Sequence, residues 1–364
     1  MKEMNLDLHG LVKVWAPELS ARVYRGFEAL LGDFVVQKKP EFGCRDVPLL
    51  LLASSRIRGD LENLHPTPYG MSLVRYRGKS GIVFNYRGRP DMVLTLGNQI
   101  KIYFTPRRKN FRRLYGLTLF AINLVMHKKT GLLYHGAAAA KDENALLLTG
   151  LRGSKKTQLL LTLLRDGWKY IGDDKVLLHG GRMHLFQDFI PVKDHHLDSL
   201  PWLYERLPDR ARWRKNPINR KVRSGLAALS RRYLNKHVLS AMKKVYDPEV
   251  VVKIRDIFPS CGMAERRRPS AVILLSLGDQ VCCRRIASES ALREISALQS
   301  LVFYQTGPLE QLAFLCNQNF ELSVGQVVRE NLNDGRFFRL SVPGTADMDQ
   351  ACHALIERIE EDVA

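Results

Sequence analysis

Residues 145–178 read ALLLTGLRGSKKTQLLLTLLRDGWKYIGDDKVLL, and the order of apolar and turn residues within them decides the fold. Ala145, Leu146, Leu147 and Leu148, followed by Thr149, make an apolar run too short for an ordinary helix, and Gly150 ends it. A strand covered on both faces reads this way, as buried parallel strands do in α/β proteins. Beyond the turn, Leu159, Leu160, Leu163 and Leu164 recur at helical spacing until Gly167 stops them. Trp168 to Ile171 then form a short apolar segment that ends at Gly172-Asp173-Asp174. The order is strand, glycine turn, helix, strand, acidic pair.

The turn Gly150-Leu151-Arg152-Gly153-Ser154-Lys155-Lys156-Thr157 invites comparison with the phosphate-loop pattern G-x-x-x-x-G-K-[ST]. Phosphate binding needs backbone N–H groups turned inward at a helix N-terminus, a Lys for the outer phosphates and a hydroxyl for Mg²⁺. Gly150, Lys156 and Thr157 meet these needs, while Gly153, Ser154 and Lys155 offer backbone N–H groups and Arg152 stands in the same turn. Lys155 departs from the pattern by occupying the place of the second glycine. That place favours a backbone conformation costly for a residue with a Cβ. Asp173 and Asp174 fall at the carboxyl end of a strand, where ligands bind in open α/β sheets. One carboxylate suits Mg²⁺ and its neighbour suits proton abstraction from a hydroxyl; taken alone, Gly-Asp-Asp is also an ordinary turn.

Upstream, Gly131 to Ala140 reads as a strand whose small residues permit close packing. His135-Gly136, the polar turn Lys141 to Asn144, the apolar strand, the glycine turn, the helix and Asp173-Asp174 together resemble the catalytic domain of HPr kinase/phosphorylase. Gly-Leu-x-Gly-x-x-Lys-Thr with Ile-Gly-Asp-Asp is also similar to phosphoenolpyruvate carboxykinase, and the two families share a phosphate-loop fold. The resemblance, concentrated in residues 131–178, implies an α/β phosphate-loop core from about residue 111 to 364; the residue pattern alone predicts an N-terminal β-rich subdomain over 1–110 and a basic helical insertion near 202–245. The resemblance further implies ATP and Mg²⁺ as cofactors and phosphoryl transfer to a hydroxyl-bearing acceptor, with a homo-oligomeric assembly. In those roles Lys156 neutralises the β- and γ-phosphates, Thr157 and Asp174 hold Mg²⁺, Asp173 is the base, and His135 orients the base or the phosphate. The glycine-rich signature that HPr kinases carry after the acidic pair is absent, so HPr is not implied as the acceptor.

Composition sets the wider frame. A chain of 364 residues, 45% hydrophobic, can bury a sizeable core in two domains. Its net charge of +19 attracts anions of several kinds, whether nucleotides, nucleic acid, acidic proteins or anionic lipid. Six scattered cysteines lack C-x-x-C spacing and His partners, the pattern of reduced thiols in a cytoplasm. The opening MKEMNLDLHGLVKVWAPELS has no apolar signal core, and no run reaches membrane-spanning length, so the expectation is a cytoplasmic chain without a transmembrane segment.

Over 1–110, apolar runs at Phe34–Val36, Pro48–Ala53, Met71–Tyr76, Gly81–Tyr86, Met92–Leu96 and Gln99–Phe104 predict an antiparallel, β-rich segment, with a helix near Leu19–Leu31. The basic run Arg107 to Arg113 opens a helix reaching about His127. Gly180-Gly181 predicts a hairpin turn, and Lys193-Asp194-His195-His196 predicts a loop that closes over the site. From Leu203 to Lys244, Arg206, Arg210, Arg212, Arg214, Lys215, Arg220, Lys221, Arg223, Arg231, Arg232, Lys236, Lys243 and Lys244 face only Glu205 and Asp209. That segment suits an anionic macromolecule or membrane surface, or else packs on acids elsewhere in the chain. It supports a second reading, a phosphate-loop-fold protein that is weak or inactive in catalysis and holds an anionic partner through this insertion. Val250–Ile254, Ala271–Leu277 and Arg336–Val342 predict strands; Ser288–Leu301, Pro308–Cys316 and Ala346–Glu360 predict helices.

Overall fold

The computed structural model describes residues 1–43, 46–54, 57–66, 71–86, 89–106, 111–216, 249–304, 320–344 and 347–362. The protein is mixed α/β, and its chain forms two compact units interleaved in sequence. The first holds Met1–His135, Leu177–Phe186 and Ser288–Asp334; the second holds Gly136–Val176, Gln187–Ala287 and Gly335–Ala364.

In the first unit an eight-stranded sheet begins with the hairpin Lys2–Leu8 and Val12–Leu19. Val12, Val14 and Ala16 are buried while Lys13 and Trp15 between them are not, the period-2 pattern of a strand with one covered face. Leu49–Ala53 pairs in parallel with Val12–Leu19 and with Ile100–Phe104, and a meander through Arg89–Thr95, Lys79–Tyr86, Met71–Tyr76 and Leu61–Pro66 completes the sheet. The expected strand at Phe34–Val36 is replaced by the 3-10 turn Gly32–Phe34, which continues from the helix Ala21–Leu31. The helix Phe111–Lys128 packs on the sheet, while Arg107, Arg108, Lys109 and Asn110 lie outside the described residues. Val176–His179 and Arg182–His184 form the expected hairpin, with Gly180 at φ 58 and Gly181 at φ 70 in its turn. Ser288–Tyr304 and Phe320–Leu332 are helices in contact, tied by Arg329 to both carboxylate oxygens of Glu289 at 2.8 Å. The helix expected at Pro308–Cys316 lies outside the described residues.

The second unit is built on a six-stranded sheet in the order Lys169–Gly172, Ala137–Lys141, Asn144–Thr149, Ala271–Leu277, Arg336–Val342, Cys282–Arg285. Asn144–Thr149 runs parallel to Ala271–Leu277, which runs parallel to Arg336–Val342; the other pairings are antiparallel. Leu146, Leu147 and Leu148 are fully buried, as their unbroken apolar run predicts. Ala137 to Ala140 are buried as well, and the helix Lys156–Arg165 packs on that alanine strand. Their single methyl groups leave room for the helix to approach. The single strand expected over Gly131–Ala140 is instead two, Leu132–Tyr134 and Ala137–Lys141. The break falls at His135, whose backbone N–H donates to Gln299 Oε1 at 2.8 Å and whose carbonyl accepts from Gln299 Nε2 at 3.1 Å. Lys156–Arg165 also packs on the terminal helix Met348–Glu361, where Arg165 grips both oxygens of Asp349 at 2.7 and 3.1 Å.

No described helix is long and apolar enough to cross a membrane. Replacing Ala139 with Leu in the middle of the alanine strand inserts three carbons where there is no space; the variant should lose about 1–3 kcal/mol in urea denaturation. An unchanged midpoint would show that the helix does not press on this strand.

Candidate functional site

The apolar strand Asn144–Thr149 delivers the chain into the turn 150–155 at its carboxyl end. Gly150 sits at φ 147, and a Cβ there would lie 2.4 Å from the Leu275 carbonyl oxygen and 2.7 Å from Ser154 Oγ. Only glycine fits. Gly153 at φ 88 also uses the left-handed half of backbone space. Lys155 does so without being glycine, at φ 69 and ψ 18, and serves as N-cap of the helix with no side-chain capping bond. The conformation expected at the place of the second glycine is therefore present, carried by a residue for which it costs about 1–2 kcal/mol.

Lys156 opens the helix and turns back over its own loop. Its ammonium donates to the carbonyls of Gly150 at 2.7 Å and Leu151 at 3.0 Å. Burial lowers its pKa, with the nearby charges of Asp173 and Asp174 opposing that shift. Thr157, one residue on, donates its hydroxyl to the carboxylate of Asp173, 3.1 Å from either oxygen. Residues 16 apart in sequence thus meet because helix and next strand both point their loop ends the same way. Asp173 is 3% exposed, and burial, reinforced by the charge of Asp174, pushes its carboxyl up to about 7 against the pull of Thr157 and Lys156. Asp174 follows at φ 62 with its side chain outward and its carboxylate 2.8 Å from Lys175 Nζ.

The turn, Lys156, Thr157 and the acidic pair therefore come together in the second unit. His135 belongs to the first unit, clamped at its backbone by Gln299. Arg152 is exposed at the tip of the turn. Several buried polar atoms cluster here without a hydrogen-bond partner among the described residues: Thr149 Oγ1, Ser154 Oγ, Lys155 Nζ and Gln158 Oε1. Native interiors leave few such atoms, so their concentration within ten residues makes this turn the candidate site. Phosphate oxygens suit three of these atoms, the hydroxyls of Thr149 and Ser154 and the ammonium of Lys155, as well as the amides that open the helix. Among the described residues no group of three or more His, Cys, Asp or Glu could hold a metal ion. Mg²⁺ does not require one, since it is usually held by one or two carboxylates together with substrate phosphates.

Two features escaped the sequence pattern. Gln158 Nε2 reaches Ser199 Oγ at 3.0 Å and the His195 carbonyl at 3.2 Å, fastening the helix Asp194–Ser199 to the start of Lys156–Arg165. The expected loop over 193–196 is thus the start of a short helix, capped by His196 Nδ1 accepting from the Lys193 amide at 3.3 Å. A polar residue within a leucine-rich helix was the available signal for Gln158. In the basic segment, Lys215 is fully buried against Asp194 at 2.7 Å, and Arg212 donates to the carbonyls of Glu205 and Leu207. Arg206 lies over the rings of Trp202 and Phe258. Residues 217–248, with Arg220, Lys221, Arg223, Arg231, Arg232, Lys236, Lys243 and Lys244, lie outside the described residues.

No protein-family model matches this chain, and no curated protein matches it either.

Gly150→Ala should cost about 2–4 kcal/mol of stability, combining backbone strain with the clash at Leu275; denaturant unfolding reads it directly. Asp173 yields a pH-dependent outcome in the metal-free protein. Its folded carboxyl titrates at about 7 against 3.8 unfolded, so between those values the folded state holds a proton that the unfolded chain has lost. Stability falls as pH rises through that window, by up to about 4 kcal/mol, and the loss is complete above it. Asp173→Asn removes the charge, so its thermal midpoint should exceed that of the wild type at pH 8 by more than at pH 4.5. A gap that does not widen with pH would place the carboxylate in water.

Proposed function

We propose that the second unit is the catalytic body of an HPr-kinase-like phosphotransferase, using ATP and Mg²⁺ to pass a phosphoryl group to a hydroxyl of an acceptor. The observation that carries this reading is the Thr157–Asp173 bond at the mouth of a glycine turn. It brings the hydroxyl next to the loop lysine to a buried carboxylate at the end of the following strand, two residue types that phosphate-loop enzymes use around Mg²⁺ and the nucleophile. The backbone N–H groups of Gly153, Ser154, Lys155 and Lys156 would line the phosphates, and the charge of Lys156 would be shared with the outer ones. Thr157 and Asp174 would hold Mg²⁺; the exposed pair between Asp174 and Lys175 is weak enough to exchange for it. Mg²⁺, when bound, neutralises charge that builds on the phosphoryl oxygens. Asp173, titrating at about 7, can both accept the proton of an acceptor hydroxyl and release it near neutral pH. His135 is assigned to orienting the base or phosphate by the family resemblance alone. A cytoplasmic setting suits the need for ATP and the free thiols of Cys261, Cys282, Cys283 and Cys352.

A second reading, a non-catalytic protein of the same fold holding an anionic partner through 202–245, is favoured by the strained Lys155. The described part of that segment weighs against it, because Arg206, Arg212 and Lys215 are engaged within the fold.

Thermal unfolding with saturating Mg-ATP separates the two. Ligand at a hundredfold over its Kd adds roughly 2.7 kcal/mol, a rise on the order of 2–4 °C for a chain of this size. Wild type should show the rise, Lys156→Ala should lose it, and Asp173→Asn should keep it while losing slow ATP hydrolysis. Absence of any rise in the wild type would defeat the kinase reading.

A further inference from the structure

Lys155 departs from the phosphate-loop pattern, yet its surroundings are not those of a misfit. It holds the left-handed conformation that glycine adopts most readily, at the N-cap of Lys156–Arg165. Ser, Thr, Asp and Asn serve as N-caps because their oxygens accept the first amides and suit the positive helix end. Here no side chain caps, no acidic residue occupies the first turn, and two consecutive cations add positive charge to a positive helix end. The Lys155 ammonium is buried with no hydrogen-bond partner among the described residues. The same is true of the hydroxyl of Ser154, a residue only 5% exposed and adjacent in the turn. Two donors thus lack acceptors at the place where a helix lacks its cap. Lys156 differs, since its ammonium is engaged by the carbonyls of Gly150 and Leu151. An anion with many oxygens satisfies all these groups together: it caps the amides, accepts from Ser154 and pairs with Lys155.

We propose that Lys155 is a phosphate-contacting residue, its ammonium standing in the place of a loop glycine to bind a polyphosphate and to favour the more highly charged anion. This rests on the phosphate-binding reading of the turn and adds to it a specificity for charge. The left-handed backbone of Lys155 is then the cost of placing a second cation beside Lys156. A glycine would remove the strain and the charge together.

The test is calorimetric titration of the intact chain with inorganic tripolyphosphate and with pyrophosphate. It compares wild type, Lys155→Met, Lys155→Gly, Lys155→Arg and Lys156→Ala. Loss of one charged contact should weaken tripolyphosphate binding about tenfold to a hundredfold in both Lys155→Met and Lys155→Gly. The preference over pyrophosphate should shrink in the same two variants, and Lys155→Arg should retain both. Affinity that is unchanged or tighter in either Lys155→Met or Lys155→Gly overturns the proposal. If Lys156→Ala still abolishes binding in that case, the turn remains a phosphate site in which Lys155 is passive. A wild type that binds neither anion overturns the proposal and the phosphate-binding reading with it. Lys155→Gly relieves backbone strain, so its folding is secure and its affinity is interpretable even where Lys155→Met unfolds.

Discussion

A buried carboxylate needs partners, and in this protein Asp173 finds its main one in the hydroxyl of Thr157, 3.1 Å from both oxygens. Burying Asp173 at 3% exposure costs desolvation that one hydroxyl and a nearby lysine do not recover, which is why its carboxyl titrates at about 7. The fold keeps the group there regardless. Strand Lys169–Gly172 must end beside the start of Lys156–Arg165, because both pack on the alanine strand Ala137–Lys141. The same packing fixes Gly150 against the carbonyl of Leu275, so the turn between strand and helix has little freedom in its path. Stability is spent on geometry at this end of the sheet, as is common where a site has to be preorganised.

Much of that geometry was legible in the chain. An unbroken run of four apolar residues ending in glycine cannot be an amphipathic element, so Asn144–Thr149 had to be a strand covered on both sides. The conformation at Lys155 was legible too, since a turn of this length entering a helix requires left-handed residues, whichever side chains carry them. Hidden from the sequence were the facts that depend on distant partners. Gln299 breaks Gly131–Ala140 into two strands from 164 residues away. Nothing local distinguishes that apolar run from a continuous strand. The hairpin Lys2–Leu8 and Val12–Leu19 is absent from the strands expected over 1–110, although Val12, Val14 and Ala16 alternate inward against Lys13 and Trp15.

The acidic pair shows where local chemistry runs out. Sequence spacing places Asp173 and Asp174 side by side, but adjacent residues beyond a strand end diverge in environment. Asp173 turns inward to Thr157, while Asp174, forced to φ 62, turns outward toward Lys175. Burial, reinforced by the charge of Asp174, raises the Asp173 carboxyl to about 7, while Asp174 stays at the surface. That difference depends on which side of the turn the core lies, and no spacing rule supplies it.

A net charge of +19 on 364 residues attracts anions of several kinds. Three basic residues of the 203–216 segment answer differently. Lys215 is buried on Asp194, Arg212 saturates backbone carbonyls, and Arg206 stacks on Trp202 and Phe258, so these cations hold the fold together. Arg165 does the same between helices through Asp349. Positive charge that serves internal contacts is not available to steer a ligand. At the 150–157 turn the situation is reversed. Lys155 and Lys156 are adjacent, the helix end behind them is itself positive, and burial raises the carboxyl of the neighbouring Asp173 to about 7. Burial disfavours the charge of Asp173, the acid bonded to Thr157, as it does that of the two lysines, while the helix end keeps its positive dipole. A concentrated field at a closed turn selects compact, multiply charged anions, whereas a diffuse basic face would select long ones. On the proposed phosphate-binding reading, that distinction favours a polyphosphate over a nucleic-acid backbone at this turn.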